Sequence, residues 1–377
     1  MGKRSNASAS RGRTARTPAV RASAAGTTRF CAKWTRQFSD DWFRPTRTGL
    51  TISALGLGTY LGDSDDETDD LYAATARHAL EHGVNVIDTA INYRCQRSER
   101  TIGRVLRELF AAGTVSRDEV VICTKGGYIP LDGEPPASRE AYQEMVQREY
   151  IDAGILTAGD IVAGGHSIAP KFIEDQIQRS LKNLGLDSVD YFHVHNPEHQ
   201  LASVAPEDFH GRMRSAFEML ESCVDAGAIG AYGCATWNGL RLPAEAQGHL
   251  SLFRLEAIAR EVAGDDHHFR LVQLPVNLSM SEAVRVSTQR DRNGRLTSVV
   301  QAASQLGLDV VSSAPLLQGR LASDLPDAVR GMFPGATDAQ RALGFTRSLP
   351  GVASVMVGTR QVSHLEENLS VFRRAPA

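Results

Sequence analysis

Val84-Asn-Val-Ile-Asp-Thr-Ala-Ile-Asn-Tyr93 decides how the chain is read. Val84–Ile87 has the length and residue type of a strand buried on both faces. The run ends in Asp88, and a buried carboxylate needs a partner. Tyr93 lies in the loop beyond, followed by the polar run from Arg94 to Arg100. Alone, the stretch fits either a surface aspartate beside a packed tyrosine or one corner of an active site. The rest of the chain separates the two.

On both sides of this stretch, short apolar runs alternate with amphipathic ones. Strands are expected over Leu55–Tyr60, Val84–Asp88, Val120–Thr124, Val189–His195, Ala231–Cys234, Phe269–Leu274, Asp309–Ser313 and Ala353–Val357. Helices are expected after them over Asp65–His82, Glu99–Ala112, Pro170–Leu184, Pro206–Ala226, Leu252–Val262, Leu296–Leu306, Thr337–Ser348 and Val362–Phe372. Acids open the first helix, where the helix dipole favours them. Pro170 suits the first turn of its helix and Gly185 the end. Eight β-then-α units predict an α/β protein, a single-domain (β/α)8 TIM barrel over residues 44–377. A doubly wound sheet is the alternative. One interruption stands out, from Gly126 to about Ile168. This insertion after the third strand is rich in Gly and Pro, with a helical piece near Glu140–Tyr150. It opens onto the strand ends and is expected to cover them as a lid.

Composition narrows the function. With 42% hydrophobic and 23% charged residues the profile is that of an ordinary soluble globular chain. A net charge of −3 gives no basic field for nucleic acid or acidic lipid. No apolar run approaches the roughly 18 residues of a membrane span. Cys31, Cys95, Cys123, Cys223 and Cys234 are scattered and odd in number, which reads as free thiols in a reducing, cytoplasmic setting. The first 38 residues hold nine Lys or Arg and no acid. Residues 1–43 are expected to be a basic, disordered extension outside the fold. An organelle transit peptide and a start placed too far upstream are the alternatives.

In a barrel the chemistry sits at the C-terminal ends of the strands. There the sequence places Asp88 with Tyr93 beyond it, then Lys125, His195 and Gln273. Adjacent parallel strands lie about 4.8 Å apart, so Asp88 and Lys125 can pair. A tyrosine is a poor acid at neutral pH. A lysine beside it stabilises the phenolate, an aspartate keeps that lysine charged, and a histidine orients a carbonyl oxygen. The set suits protonation of an oxygen while hydride reaches the carbon.

At this point the chain resembles the aldo-keto reductase superfamily, over about residues 45–373. The resemblance is carried by Asp88-Thr-Ala-Ile-Asn-Tyr93, Lys125 at a strand end, Asp190-Tyr-Phe-His-Val-His195-Asn-Pro197 and Gly358-Thr-Arg-Gln-Val-Ser-His-Leu-Glu-Glu-Asn368, with Leu55-Gly-Leu-Gly-Thr-Tyr60 as the first strand. It implies NAD(P)H-dependent reduction of a small-molecule aldehyde or ketone to an alcohol, with Tyr93 as general acid, Lys125 and Asp88 tuning it, and His195 orienting the carbonyl. No nucleic acid or membrane is implied, and partner proteins are left open.

The loops after strands seven and eight read Ser313-Ala-Pro-Leu-Leu-Gln-Gly-Arg320 and Gly358-Thr-Arg-Gln. Small residues there admit a pyrophosphate, and Arg320 and Arg360 supply charge. By resemblance, Glu367 and Asn368 meet the adenine end and Gln273 the nicotinamide amide. Gly58, Thr59, Tyr60, Asp88, Thr236, Ser313, Pro315, Leu316, Gly319, Gly358 and Thr359 complete the expected cofactor site. Arg360, with His364, would hold a 2′-phosphate, which favours NADPH over NADH. Two positions depart from the family. Ala235-Thr236 replaces a Ser-Asn pair, leaving the Thr236 hydroxyl for the carboxamide. Ser313 stands where many members place an aromatic ring.

Two other readings compete. His193-Val-His195 at a strand end could present two metal ligands, but Cys234 and Gly358 stand where further ligands are needed, so no metal is expected. His193 is instead expected to be buried and hydrogen-bonded deeper in the barrel, and His267-His268 to be a solvated loop. A reductase-like barrel that binds nucleotide and acts as a sensor with little turnover is the alternative function.

Overall fold

The structure, a computed structural model, describes residues 20–374. Eight parallel strands close into a barrel: β1 (Leu55–Gly58), β2 (Val86–Asp88), β3 (Val121–Gly126), β4 (Val189–His195), β5 (Ile229–Ala235), β6 (Phe269–Pro275), β7 (Asp309–Ser313) and β8 (Val352–Gly358). They follow one another in sequence order, and β8 pairs with β1 from Val355↔Leu55 to Gly358↔Gly58 to complete the ring. Eight helices surround it: α1 (Asp66–Glu81), α2 (Arg97–Ala111), α3 (Pro170–Leu184), α4 (Pro206–Asp225), α5 (Leu252–Ala263), α6 (Val299–Leu306), α7 (Asp338–Ser348) and α8 (Val362–Ser370). Apolar residues of strands and helices form one continuous core between the two layers, including Ile87, Leu106, Ile122, Ile177, Phe192, Phe217 and Val310.

Local chemistry sets the ends. Pro170 opens α3, and Gly185 closes it in the left-handed conformation at φ 65°. The helix expected from Leu296 begins instead at Val299. Ser298 accepts from the Gln301 amide and Gln301 returns the bond, so this capping box starts the helix after Leu296–Thr297. Those two residues pair with Gln289–Arg290 in a small antiparallel ladder. The first strand stops at Gly58, short of Tyr60, because Thr59 and Tyr60 already turn into the loop over the barrel mouth.

The chain before β1 is folded from residue 20 on, against the expectation that residues 1–43 lie outside the fold. Residues 1–19 fall outside the described residues. A helix over Ala24–Ala32 is capped by Ser23, and Phe30, Phe38 and Trp42 are each 1% exposed or less. Trp42 stacks on Phe38 at 4.3 Å, meets Phe372 edge-on at 4.8 Å and donates its indole N–H to the Gly83 carbonyl at 3.1 Å. Basic composition misled here because the cations are used in contacts: Arg29 and Lys33 both pair with Glu119.

A second cluster fills the barrel's lower interior. Val86, Val121, Cys123, Tyr191, Ala231, Leu271, Val311 and Met356 point inward, and Ala22, Leu50 and Ile52 close over them. The N-terminal segment is thus a plug at the N-terminal ends of the strands. Asp190 ties it down, accepting from the Ala22 and Ile122 amides at 2.7 Å each and from Arg117 Nη2 at 2.9 Å. Asp309 accepts from the Arg47 amide at 2.8 Å. Burial pushes its pKa up to about 6, against the pull of that bond.

The insertion between β3 and α3 holds a helix over Arg139–Val146, a wide turn over Gln147–Ile151 and its own small core of Ile129, Tyr150 and Leu156 against Phe172 of α3. All five cysteines are buried and unpaired. Among the described residues no helix is long and apolar enough to cross a membrane. His267 departs from the solvated loop expected of it: it is buried, 3.8 Å from Glu256.

Two predictions follow from this base. Trp42→Ala should cost about 3–5 kcal/mol in urea unfolding, as deletion of a buried aromatic does; an arm outside the fold would change by less than about 0.5 kcal/mol. Asp309 has a folded-state pKa above its unfolded one, so its contribution to stability is fully present below the unfolded value of about 4 and is lost as pH rises through about 6. Asp309→Asn should therefore stabilise the protein by roughly 1–3 kcal/mol at about pH 7.5, a gain that vanishes at about pH 4.

Candidate active site

Three strands converge on Asp88. Lys125 Nζ donates to Asp88 Oδ2 at 2.7 Å and to the Thr89 carbonyl at 2.8 Å. Gln273 Nε2, from across the barrel on β6, donates to Asp88 Oδ1 at 2.9 Å. Lys125 and Asp88 are buried, so each charge is compensated by the other and by these neutral groups. Burial works against the Lys125 charge, but Asp88 and Tyr93 together outweigh it and the ammonium pKa rises.

Tyr93 lies above this pair, with Lys125 Nζ 4.8 Å from its ring centroid. The loop that carries it is unusual. Arg94, Cys95 and Gln96 follow in the left-handed region, at φ 49°, 54° and 67°, without a glycine among them. Such residues cost of order 1 kcal/mol each and persist only where surroundings hold them. Here Arg94 Nε donates to the Asp63 carbonyl at 2.8 Å and Gln96 Nε2 to the Leu131 carbonyl at 3.0 Å. The run turns the chain straight from Tyr93 into α2. Lys125 lowers the Tyr93 pKa as expected, but it does not decide the net direction. Burial raises it, Lys125 opposes and Asp88 adds to the rise, so the net shift is upward. The phenol holds its proton at neutral pH.

His195 ends β4. Its ring is 5.9 Å from Tyr93 and 5.0 Å from Tyr128, almost perpendicular to the latter at 89°. Burial first, then the Lys125 charge and neighbouring histidines, push its pKa well below the usual value, so the imidazole is neutral. The neck of the insertion fixes it. Gly127 and Tyr128 leave β3, and His166 returns opposite Tyr128. Gln176 clasps this neck, accepting from the Gly127 amide at 2.7 Å and donating to the Tyr128 carbonyl at 2.6 Å. Arg212 donates to Gln200 Oε1 at 2.7 Å, which turns the Gln200 amide N–H toward His166 Nδ1 at 2.8 Å. His166 Nε2 must then carry the hydrogen, and it donates to the His195 carbonyl at 2.7 Å. His193, one turn of the pleat below, is buried as expected, but neither ring nitrogen has a hydrogen-bond partner. Among the described residues no three His, Cys, Asp or Glu side chains gather as a metal-ligand set.

These groups open into a cavity of about 760 Å³. Asp88, Tyr93 and His195 line it, whereas Lys125 sits beneath Tyr93 and does not. Gly58, Thr59, Tyr60, Thr236, Gln273, Ser313, Pro315, Leu316, Gly319, Gly358, Thr359, Arg360, His364, Glu367 and Asn368 also line it. Arg320 does not. Leu317, Gln318 and Gly319 form a left-handed turn just before it, at φ 47°, 55° and 91°, and it lies on the exposed side of the loop. Glu367 is held by the Thr337 hydroxyl. Tyr128 and Trp237 line the cavity and were not anticipated. Each lies two residues past a strand end, Tyr128 after β3 and Trp237 after β5, in a loop over the barrel mouth as Tyr93 is after β2. That placement was the available signal. Trp237 is set by Glu198, whose Oε1 accepts from the Trp237 amide at 2.8 Å.

The cavity suits a dinucleotide on its own chemistry. Asn368 Nδ2 and Thr236 Oγ1 are buried, line it and have no hydrogen-bond partner. Leaving such groups unpaired costs about 1–3 kcal/mol each, which a polar ligand recovers. They stand where adenine and carboxamide contacts are expected.

Known proteins bear on the same barrel. Among curated relatives, L-glyceraldehyde 3-phosphate reductase of Escherichia coli O157:H7 is 23% identical over 362 residues, covering 86% of each chain. D-threo-aldose 1-dehydrogenase of a Pseudomonas species is 28% identical over 191 residues, 49% of this chain and 50% of its own. Prostaglandin F synthase 1 of Bos taurus is 24% identical over 203 residues, 52% and 50% respectively. The chain thus spans about half the length of the first curated relatives it matches. The fold is shared with an aldo/keto reductase from Klebsiella pneumoniae solved with NADP and acetate, at TM-score 0.56, 20% identity and coverage of 88% and 89%. It is also shared with aldo-keto reductase AKR11C1 from Bacillus halodurans, at TM-score 0.57, 17% identity and coverage of 89% and 92%. The model of the Aldo/keto reductase family matches residues 54–327, most of the barrel, and the chain belongs to that family.

Proposed function

We propose that the protein is a cytoplasmic reductase that converts a small-molecule aldehyde or ketone to its alcohol with NADPH. One observation carries the reading: Lys125 Nζ lies 2.7 Å from Asp88 and 4.8 Å from the Tyr93 ring, directly under a cavity that His195 also enters. A reduced nicotinamide, when bound, would supply the hydride. Tyr93 gives its phenolic proton to the carbonyl oxygen. As charge grows on the phenol oxygen, the Lys125 ammonium stabilises it, and Asp88 keeps that ammonium charged. The neutral His195 offers an N–H to the same oxygen and sets its direction. Thr236, Gln273 and Asn368 hold the cofactor's polar edges, and Arg360 with His364 reads a 2′-phosphate. The insertion acts as a wall of the cavity rather than a distant ornament, since Tyr128 and His166 meet His195 directly.

Loss of reduced-nicotinamide absorbance with 4-nitrobenzaldehyde tests the reading. Tyr93→Phe should lower kcat by roughly 10²-fold or more while NADPH binding persists; binding without turnover in the parent chain would point to a sensor instead. The donor must be protonated and its pKa is raised from the usual tyrosine value of about 10. Carbonyl reduction should therefore hold steady across neutral pH and fall only as pH climbs past about 10. Arg360→Ala should cut the NADPH-over-NADH preference in kcat/KM about tenfold, the worth of a charge-assisted contact; an unchanged ratio removes Arg360 from cofactor choice.

A further inference from the structure

Tyr93 hangs between two anchors. Upstream, the chain is tied to β3: the Thr89 amide donates to the Cys123 carbonyl at 2.9 Å and the Ile91 amide to the Lys125 carbonyl at 3.2 Å. Downstream, Arg94, Cys95 and Gln96 stand at φ 49°, 54° and 67° before α2 begins. L residues leave that conformation unless their surroundings hold them. The insertion supplies part of the hold. Where its neck continues past Tyr128, Leu131, Asp132 and Gly133 run alongside the loop. The Leu131 carbonyl accepts from Gln96 Nε2 at 3.0 Å, and the Gly133 amide donates to the Cys95 carbonyl at 3.0 Å. Asp132 between them pairs with Arg100 of α2 at 2.7 Å. Asn183 of α3 grips the other end of the same side-chain amide, donating to Gln96 Oε1 at 3.1 Å and to Glu99 Oε2 at 2.9 Å.

We propose that residues 131–133 are a strap that positions Tyr93 for proton transfer, and that Gln96 is the positioning residue through which the strap acts. The inference rests on the carbonyl-reductase reading and deepens it. Gln96 is buried, and both ends of its side-chain amide are bonded, the oxygen to α3 and the nitrogen to the insertion. Without the strap, the run is free to relax from φ of about +55° to about −60°, the ordinary range of L residues. The helix α2 cannot follow, because Ile102, Leu106 and Leu109 lock it into the core. The change therefore falls on Tyr93, the residue before the run.

A small displacement is enough. Lys125 Nζ stands 4.8 Å from the Tyr93 ring centroid, and its effect on the phenol falls with distance. A ring that swings away loses the charge that stabilises the phenolate. It also loses its alignment with His195, whose ring is 5.9 Å away. The neck of the insertion already fixes His195 through His166. One inserted segment thus grips both groups that meet the carbonyl oxygen and sets the distance between them. Gln96, Leu131, Asp132 and Gly133 do not line the cavity, so the strap acts on Tyr93 without touching substrate or cofactor.

The experiment uses the full chain with NADPH and 4-nitrobenzaldehyde. Gln96→Ala removes both amide bonds and keeps the strained backbone. Gln96→Gly removes them and accepts φ 67° without strain, so it folds even where the alanine variant does not. Both should lower kcat about tenfold and move KM and the NADPH Kd less than about twofold, since Gln96 touches neither ligand. A pH profile separates positioning from stability. Oxidation of 4-nitrobenzyl alcohol by NADP+ runs the step in reverse: hydride leaves the carbinol carbon for the nicotinamide, and the Tyr93 phenolate takes the hydroxyl proton. Its rate rises with pH as the phenol ionises. In both variants that rise should move up by about 0.5 pH unit or more, because the pull of Lys125 on the phenol is weakened. Loss of a strap that only stabilised the fold would lower Tm and leave the rise in place. An unchanged kcat and pH profile in the folded glycine variant overturns the strap and leaves the reductase reading standing. Recovery of the parent kcat in the glycine variant but not in the alanine variant does the same, because it assigns the loss to strain. No turnover in the parent chain with NADPH bound overturns both.

Discussion

The buried pair between Lys125 and Asp88 is the constraint on which the site depends. Two opposite charges in the mouth of an apolar barrel are tolerable only in close geometry and with their remaining hydrogen-bonding capacity met. The barrel meets both conditions by drawing on strands that are far apart in sequence: β2 supplies the acid, β3 the base, and β6 the Gln273 amide that takes the second carboxylate oxygen. The closed sheet is what brings Gln273 within 2.9 Å of Asp88 across 185 residues of chain. Everything above the pair inherits its charge. It opposes the upward shift of Tyr93 without overcoming burial, and it helps to hold His195 neutral. Burial therefore sets both the protonated state of Tyr93 and the neutral state of His195, and the one ammonium opposes the first and reinforces the second.

The two ends of the barrel divide the labour. At the N-terminal ends of the strands, the plug of Ala22, Leu50 and Ile52 packs onto an apolar interior layer, and Asp190 there accepts from two backbone amides and from Arg117. At the C-terminal ends the opposite holds: Asn92, His195, Thr236 and Asn368 each keep a buried atom without a partner. Unpaired polar atoms cost stability, and these four residues line the cavity, where a ligand can pair them. The left-handed run at Arg94, Cys95 and Gln96 belongs to the same face and is held by bonds to the β1 loop and to the insertion.

Much of this was legible in the order of residues. Eight alternations of apolar run and amphipathic stretch gave the barrel, because each strand is buried on both faces and each helix on one. Asp88, Tyr93, Lys125 and His195 were legible as a group because strand ends in a barrel converge, whatever the intervening length. Three things were not. The N-terminal segment reads as a basic arm by composition, yet its Trp42 finds its partners at Gly83 and Phe372, contacts that no local pattern announces. The direction of the Tyr93 shift depends on the balance of burial against one ammonium, and burial is a property of the folded whole. Arg320 directly follows a left-handed turn that carries it outward, and with Leu317 and Gln318 in that turn only Gly319 signals it.

The insertion is where sequence and structure differ most in what they convey. As a sequence it is a length of Gly- and Pro-rich chain with a helical piece, and its distal part is indeed a small independent cluster around Tyr150 and Phe172. Its neck does the positional work. Gly127 passes so close to His195 that an added Cβ would lie 2.8 Å from the His195 carbonyl oxygen, which requires glycine there at φ 148°. That close approach lets His166 reach the same carbonyl and lets Tyr128 stand against the imidazole ring. The direction of both hydrogen bonds through His166 is set from outside the site, by Arg212 of α4 acting on Gln200. His195 is thus held from its backbone by a chain of three side chains and from its ring by a fourth. A segment inserted between β3 and α3 has become the frame of the residue at the end of β4.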